Sequence, residues 1–248
     1  MRVECFAKSH IGKIKKTNED HFALLPPEHP RLPYIIAVSD GVGGRRGGQL
    51  ASVRVLQAIG DYLSKQNLTS DNADFYISLA INRANEDLIN FGHKYKDFEG
   101  MGTTVVLAMI FDDKIVFGSV GDSRGYIIDV NDLMIQVTTD HTWTNNLVAE
   151  GVLTQEKAAT HAYRHHLTKA IGVSERIEPD TFTVNRGNVK WVLLCSDGLT
   201  EHLSNMEISS VMAKKAKPEF LIDYLISKAN RKGGTDNITI ACAKLIND

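Results

Sequence analysis

Cysteine is scarce in this sequence and never paired. The 248 residues contain three cysteines, Cys5, Cys195 and Cys242, and none lies in a C-x-x-C spacing. The absence of a C-x-x-C pair excludes a zinc ribbon and a redox dithiol. Isolated thiols favour a reducing compartment, and a chain of this length buries enough surface to fold without disulfides or a structural metal.

Long apolar runs and an excess of one charge are also missing. Residues 1–10 contain no apolar core of signal-peptide length, and no run approaches the roughly 18 apolar residues of a membrane span. Twenty-eight Lys and Arg stand against 30 Asp and Glu, a net charge of −2, which lacks the basic excess of a general nucleic-acid binder. We expect a cytoplasmic protein with neither a membrane nor a nucleic-acid partner.

Hydrophobic periodicity predicts an α+β fold. Apolar residues recur at helical spacing over 45–66 and 71–94, the second helix capped by Ser70 or Asp71, and a third helix starts at Pro218. The predicted strands cover residues 3–7, 21–25, 34–39, 103–111, 114–120, 126–130, 133–138, 178–185, 190–195 and 237–245. Many antiparallel strands with helices in separate blocks favour sheets covered by helices. No linker interrupts the chain, so a single domain over 1–248 is expected.

Aspartates recur where apolar strands begin or end. Asp40, Asp122 and Asp197 each follow an apolar run, and Asp236 precedes one. A single Asp-Gly is more often a turn than a ligand. As a set, however, carboxylates at the edge of a core are costly unless they are paired or bind metal. Without His or Cys partners they favour Mg²⁺ or Mn²⁺, and two such ions bridged by one Asp form a hydrolytic centre for phosphoryl groups.

A cationic tract at residues 13–16 precedes the acidic pair Glu19-Asp20. Such tracts are usually solvated loops. Beside a metal centre, Lys15 is a candidate contact for a phosphate oxygen.

Two other patterns point to different chemistry. Residues 121–125 match G-x-S-x-G with Ser123 as nucleophile, but 126–130 continues as a strand where an esterase elbow requires a helix. Residues 141–172 are polar and contain His141, His161, His165 and His166. No H-E-x-x-H is present, so we expect an irregular surface segment, with a histidine at the substrate edge as the alternative.

Eight short motifs occur in a characteristic order along almost the whole chain. They are KKTNED (15–20), SDGVGG (39–44), GTT (102–104), VGDSR (120–124), TDH (139–141), LTKAIG (167–172), CSDGL (195–199) and GTDNIT (234–239). Together they resemble the metal-dependent Ser/Thr protein phosphatases of type 2C, the PPM family, in its compact bacterial form. The resemblance implies two packed antiparallel β-sheets flanked by helices, an α-β-β-α sandwich with the metal centre at one edge.

The resemblance also implies a ligand set for two ions, Mn²⁺ or Mg²⁺. Asp40 is expected to bridge both ions, with the Gly41 carbonyl on the second. Asp197 and Asp236 are expected to complete the first.

Further residues are implied around these ions. Asp20 is expected to hold water molecules of the second ion, with Glu19 close by. Asp122 and Asp197 are expected to bind a third ion more weakly. Asn237 is expected to support the site from outside the ligand set. Residues 141–166 match the variable flap that shapes substrate access in the family.

Two positions depart from the family pattern. Lys15 stands where Arg is usual, which keeps the charge but loses the bidentate fork, so we expect a raised KM. Val42 stands where animal members carry a proposed acid, which leaves His10, just upstream of the lysine tract, as a candidate for that role.

The implied activity is hydrolysis of phosphoserine and phosphothreonine in proteins by direct attack of metal-activated water, without a phosphoenzyme. The implied partners are phosphorylated proteins, including a cognate Ser/Thr kinase, and the chain is expected to be a monomer. The alternatives are a catalytically weak phosphoprotein-binding module, a phosphatase of small-molecule phosphates and, least favoured, the esterase using Ser123.

Overall fold

A computed structural model describes residues 2–26, 33–42 and 47–246. The described strands are β1 (Arg2–His10), β2 (Asp20–Leu25), β3 (Tyr34–Val42), β4 (Gly102–Thr103), β5 (Val105–Ile110), β6 (Lys114–Val120), β7 (Arg124–Asp129), β8 (Met134–Gln136), β9 (Asp180–Asn185), β10 (Val189–Cys195) and β11 (Ile238–Ile246). The described helices are α1 (Gly47–Leu63), α2 (Ala73–Lys94), α3 (Trp143–Ala149), α4 (Gln155–Ala159), α5 (Asp197–Thr200), α6 (Asn205–Met212) and α7 (Pro218–Arg231), with a 3-10 turn at Lys96–Phe98.

The strands form two antiparallel sheets packed face to face. The first sheet has the order β1-β11-β10-β7-β8 and the second β2-β3-β5-β6-β9, with β4 beside β3. Helices α1 and α2 cover the outer face of the second sheet, and α5, α6 and α7 cover that of the first. A third apolar cluster fills the space between the sheets. This arrangement confirms the predicted α-β-β-α sandwich.

Strand β5 shows why the central strands are apolar without interruption. All six of its residues are buried. Val105, Leu107 and Met109 pack under the helices, whereas the alternate residues, such as Val106 and Ala108, face the first sheet. Since successive side chains point to opposite faces, a strand covered on both sides needs apolar residues at every position.

The predicted cap of α2 is wrong. The helix begins at Ala73, and its N-cap, Asn72, makes no side-chain capping hydrogen bond. Ser70 donates to Asp113 at 2.9 Å and Asp71 pairs with Lys114 at 2.7 Å. Both side chains therefore tie the loop before α2 to the β5–β6 hairpin instead of capping the helix.

The structure also differs from the predicted secondary structure in several short strands and helices. The strand predicted at 103–111 is divided into β4 and β5, and the segment predicted to be irregular contains α3 and α4. Helix α6 was not predicted, although Ser204 and Glu207 form a capping box at its start. The first helix ends at Leu63, and its predicted residues 45 and 46, like Gly43 and Gly44 of the second motif, lie outside the described residues.

None of the helices in the described ranges is long and apolar enough to span a bilayer.

We expect Phe117→Ala to destabilise the protein by about 3–5 kcal/mol, because the side chain is fully buried between the sheets and its loss leaves a cavity. Phe220→Ala is the matched control. Phe220 is 64% exposed on α7, so its replacement should change stability by no more than about 0.5 kcal/mol. Urea denaturation of both variants measures the difference, and equal effects would contradict the packing described here.

Candidate metal centre

Asp20 and Asp40 lie side by side at one edge of the sandwich. They are directly opposite each other in the register of β2 and β3. Asp20 is 5% exposed, and Ser196, which follows β10, donates a hydrogen bond to its Oδ2 at 2.7 Å. This bond joins the end of a strand in the first sheet to the start of a strand in the second, so both sheets contribute to one site.

Asp197 and Asp236 reach the same edge from the first sheet. Asp197 begins α5 directly after β10, and Asp236 lies just before β11. The two chain segments touch at Gly198, where a Cβ would lie 2.0 Å from the Asn237 carbonyl oxygen. Only glycine permits this approach, which brings the two carboxylates together.

Burial and mutual repulsion raise the pKa values of three carboxyls, those of Asp40, Asp20 and Asp122. The pKa of Asp40 lies well above its usual range because of burial and the charges of Asp20, Asp197, Asp122 and Asp236. For the same reasons the pKa of Asp20 rises to about 7 and that of Asp122 to about 8.

The residues present fit divalent cations. Oδ1 of Asp20 and Oδ1 of Asp197 are buried, and neither has a hydrogen-bond partner among the described residues. Buried carboxylate oxygens without partners are costly unless a cation takes them. An all-carboxylate donor set with a nearby carbonyl suits Mg²⁺ or Mn²⁺.

Gly41 and Glu19 lie where α1 begins. A Cβ on Gly41 would lie 2.1 Å from the Gly48 carbonyl oxygen, and a Cβ on Gly48 would lie 2.8 Å from Glu19 Oε1. Because neither glycine has a side chain, the backbone at the start of α1 packs directly against the end of β3. The Glu19 carboxylate thus sits at a helix N-terminus, where the helix dipole favours negative charge.

Lys15, the candidate phosphate contact, forms an ion pair with a carboxylate of the cluster. Its Nζ lies 2.7 Å from Asp236 Oδ1. Desolvation lowers the pKa of Lys15, but the hydrogen bond to Asp236 and the charges of Asp40 and Glu19 outweigh it and raise that pKa above its ordinary value. The ammonium is therefore a fixed positive charge at the site.

Asn237 holds the loop that carries Lys15. Its Nδ2 donates to the carbonyls of Ile11 and Thr17 at 2.9 and 3.0 Å, and its Oδ1 accepts from the Glu19 N–H at 2.8 Å. One carboxamide thus satisfies three backbone groups of the loop.

His165 of the flap lies against the acidic cluster. Its Nδ1 is 3.6 Å from Asp197 Oδ2, and its Nε2 is 3.0 Å from Glu201 Oε1. These two carboxylates raise the pKa of His165 to about 9. In the sequence, His165 is only one of four histidines in residues 141–172. The irregular flap has no periodicity from which the direction of its side chain can be predicted.

The flap encloses a cavity of about 370 Å³ beside the cluster. Asp122, Asp197 and Glu201 line one part of it, and Arg164 and Ala158 of the flap line another. A phosphorylated side chain approaching the carboxylates has this space available.

The base of the flap is held by polar contacts that are partly or fully buried. Arg124 forms a bidentate ion pair with Asp140, with its shortest N–O distance 2.6 Å. His141 is buried, and its Nδ1 accepts from the Gly121 N–H at 3.0 Å. His141 therefore belongs to the framework next to Asp122 and not to a surface cluster.

Ser123 is not arranged as an esterase nucleophile. It is buried, its hydroxyl lies 2.7 Å from Thr104 Oγ1, and the next residue begins β7. His202, which follows Ser123 and Asp197 in the order that such an esterase would need, contacts Thr235, with 2.9 Å between Nε2 and Oγ1. His10, the candidate acid, accepts the Gly12 N–H through Nδ1 at 2.9 Å.

Comparisons with known proteins identify the family of the chain. Residues 8–229 match the family model described as Protein phosphatase 2C. The serine/threonine phosphatase stp of Listeria innocua is 34% identical over 231 residues, which cover 92% of this chain and 90% of that protein. The crystal structure of the serine/threonine phosphatase Stp1 from Staphylococcus aureus has a TM-score of 0.94 at 30% identity and covers 100% of this chain and 96% of that chain.

A third relative was solved with metal. The catalytic domain of the serine/threonine protein phosphatase PstP, in complex with two manganese ions, has a TM-score of 0.84 at 26% identity, with 99% of each chain covered. The chain belongs to the protein phosphatase 2C family. The predicted family, fold and activity, those of a metal-dependent protein-serine/threonine phosphatase, are thereby confirmed.

We expect the metal-free protein to lose stability as pH rises from about 5 to about 8. A carboxyl whose folded pKa exceeds its unfolded value stabilises the fold at low pH and ceases to do so as pH passes the folded pKa, here about 7 for Asp20 and about 8 for Asp122. Urea denaturation in EDTA measures the slope.

Asp20→Asn should flatten that slope, whereas Asp61→Asn, at an exposed position on α1, should leave it unchanged. Equal slopes in all three proteins would show that repulsion in the cluster does not affect stability.

Proposed function

We propose that the aspartate cluster holds the metal ions of phosphoprotein hydrolysis. The assigned ligands are Asp20, Asp40, the Gly41 carbonyl, Asp197 and Asp236 for two ions of Mn²⁺ or Mg²⁺, Asp122 with Asp197 for a weaker third ion, and Glu19 close to the second. The observation that carries this assignment is the convergence of five carboxylates, two of which present buried oxygens that have no hydrogen-bond partner within the described ranges.

Each protein group has a distinct part in this proposal. When bound, the ions lower the pKa of a water molecule and offset the charge of the phosphoryl oxygens. Asp40, directly opposite Asp20 on the neighbouring strand, serves both ions in this proposal. Lys15 supplies a single positive charge to a phosphoryl oxygen, and Asn237 keeps its loop in position.

The substrates in this proposal are proteins phosphorylated on serine or threonine, including a cognate kinase. The cavity of about 370 Å³ gives a phosphorylated side chain space beside the carboxylates. We propose further that the chain acts as a cytoplasmic monomer and that residues 1–248 form one catalytic domain with the flap at about 141–166. The shared apolar layer between the two sheets supports one domain.

Hydrolysis of a phosphothreonine peptide tests the metal assignment. We expect phosphate release with Mn²⁺ that stops in EDTA and falls at least about 100-fold in Asp197→Asn, because an essential ligand is lost. Asp61→Asn is the control for a change of charge alone. Phosphate release that is unaffected by EDTA would refute the proposal. Absence of phosphate release with either metal would favour a binding module. Cleavage of an acyl ester in the presence of EDTA would support the esterase alternative that uses Ser123.

Substitution of Lys15 tests the phosphate contact. We expect Lys15→Ala to lower kcat/KM by about 10–100-fold, mainly through KM, since one charge-assisted hydrogen bond is lost. Lys15→Arg should lower KM below that of the wild type, because guanidinium binds phosphate through two donors. Lys65→Ala, exposed after α1, is the control, and an unchanged KM in Lys15→Ala would exclude the contact.

A further inference from the structure

The flap brings a nitrogen ligand to a cluster that is otherwise all oxygen. Ligand atoms of Asp122, His165 and Asp197 all lie within 4.8 Å of one another. His165 Nδ1 and Asp197 Oδ2 are 3.6 Å apart, which is too long for a normal hydrogen bond. Two ligands of one ion, each about 2.1 Å from it, are separated by about 3 Å or slightly more.

We propose that His165 binds a divalent cation through Nδ1 together with Asp122 and Asp197, so that the flap supplies one ligand of the third ion. The inference rests on the proposed function, which assigns that ion to the two aspartates alone. It adds a nitrogen ligand to the two carboxylates and connects the third ion to the flap.

The orientation of the imidazole suits a ligand. Its Nε2 faces Glu201 Oε1 at 3.0 Å, and Glu201 is held in turn by Thr235, whose hydroxyl donates to Oε2 at 3.1 Å. A carboxylate that accepts the proton on Nε2 leaves Nδ1 as the nitrogen available to a metal, which displaces the proton that the raised pKa of His165 otherwise keeps there. Glu201 is therefore a positioning residue for His165.

The aspartates leave room for such an ion. Asp122 is 9% exposed, so its carboxylate is largely removed from water. Asp197 keeps a buried Oδ1 without a partner among the described residues. This unpartnered oxygen does not depend on the histidine and points to a cation at the same place.

Ligation by His165 would hold the flap against the metal centre. The neighbouring His166 carbonyl accepts the Trp143 N–H at 2.8 Å, which ties this stretch to the start of α3. Arg164, next in the chain on the other side, lines the flap cavity. An ion bound to His165 therefore restrains both α3 and the cavity wall. An imidazole ligand also shifts preference from Mg²⁺ towards Mn²⁺.

The test measures metal binding and not turnover. Calorimetric titration with Mn²⁺ and with Mg²⁺ is compared for the wild type, His165→Gln and His166→Gln, the last an exposed flap histidine. We expect His165→Gln to weaken only the weakest Mn²⁺ site, by about tenfold or more, with little change for Mg²⁺. His166→Gln should bind as the wild type does.

Electron spin echo modulation of bound Mn²⁺ supplies the direct signature. With the third site filled, ¹⁴N modulation should be present in the wild type and in His166→Gln and absent in His165→Gln. Glu201→Gln should retain the modulation with weaker binding, because the ligand remains but its support is altered. Circular dichroism melts show that each variant is folded.

The outcomes separate the two proposals. Two tight Mn²⁺ ions with a third site unaffected by His165→Gln, or ¹⁴N modulation that survives it, would overturn the flap ligand and leave the phosphatase centre intact. Absence of any tight Mn²⁺ binding in the wild type would overturn both.

Discussion

Electrostatic repulsion among buried carboxylates is the constraint on which the site depends. Asp20, Asp40, Asp122, Asp197 and Asp236 come from different strand ends and converge at one edge of the sandwich. Burial and the charges of neighbouring carboxylates raise the pKa values of three of them, Asp20, Asp40 and Asp122. The apolar layers on both sides of each sheet supply the stability that holds these groups together. Cations relieve the repulsion directly, so metal binding and stability are linked at this edge.

The convergence is maintained by small contacts that cross between the sheets. The Ser196 hydroxyl bonds to Asp20 across the sandwich, and Asn237 fastens the loop that carries Lys15. Gly198 allows its segment to touch the Asn237 carbonyl. Each contact involves backbone or a short side chain, which fixes position better than long flexible groups do. The flap is built differently, from the short helices α3 and α4 with one fully buried residue each, so its position depends more on polar contacts such as those of His165.

The sequence predictions are accurate where the local hydrophobic pattern is strong and wrong where distant contacts decide the structure. Strand β6 has the predicted bounds because an apolar run between a tight turn and a glycine allows few alternatives. The cap of α2 was wrong because Ser70 and Asp71 have distant partners in the β5–β6 region that outcompete the helix end. Helix α6 was missed although its capping box, Ser204 with Glu207, is visible in the sequence.

The residue types of the site can be recognised in the chain alone: carboxylates without cysteine, in an order shared with one family, with lysine in place of the usual arginine. Which of these groups meet depends on the packing of the fold. Ser196 and Asp20 are 176 residues apart in the chain. Lys15 and Asp236 are further apart still, and β9 and β10 lie between His165 and Asp197. Local pattern specifies the strands and their apolar faces, but the packing of one sheet on the other sets the distances between their ends. The flap has no such pattern, and the placement of His165 beside Asp197 follows from the folded contacts alone.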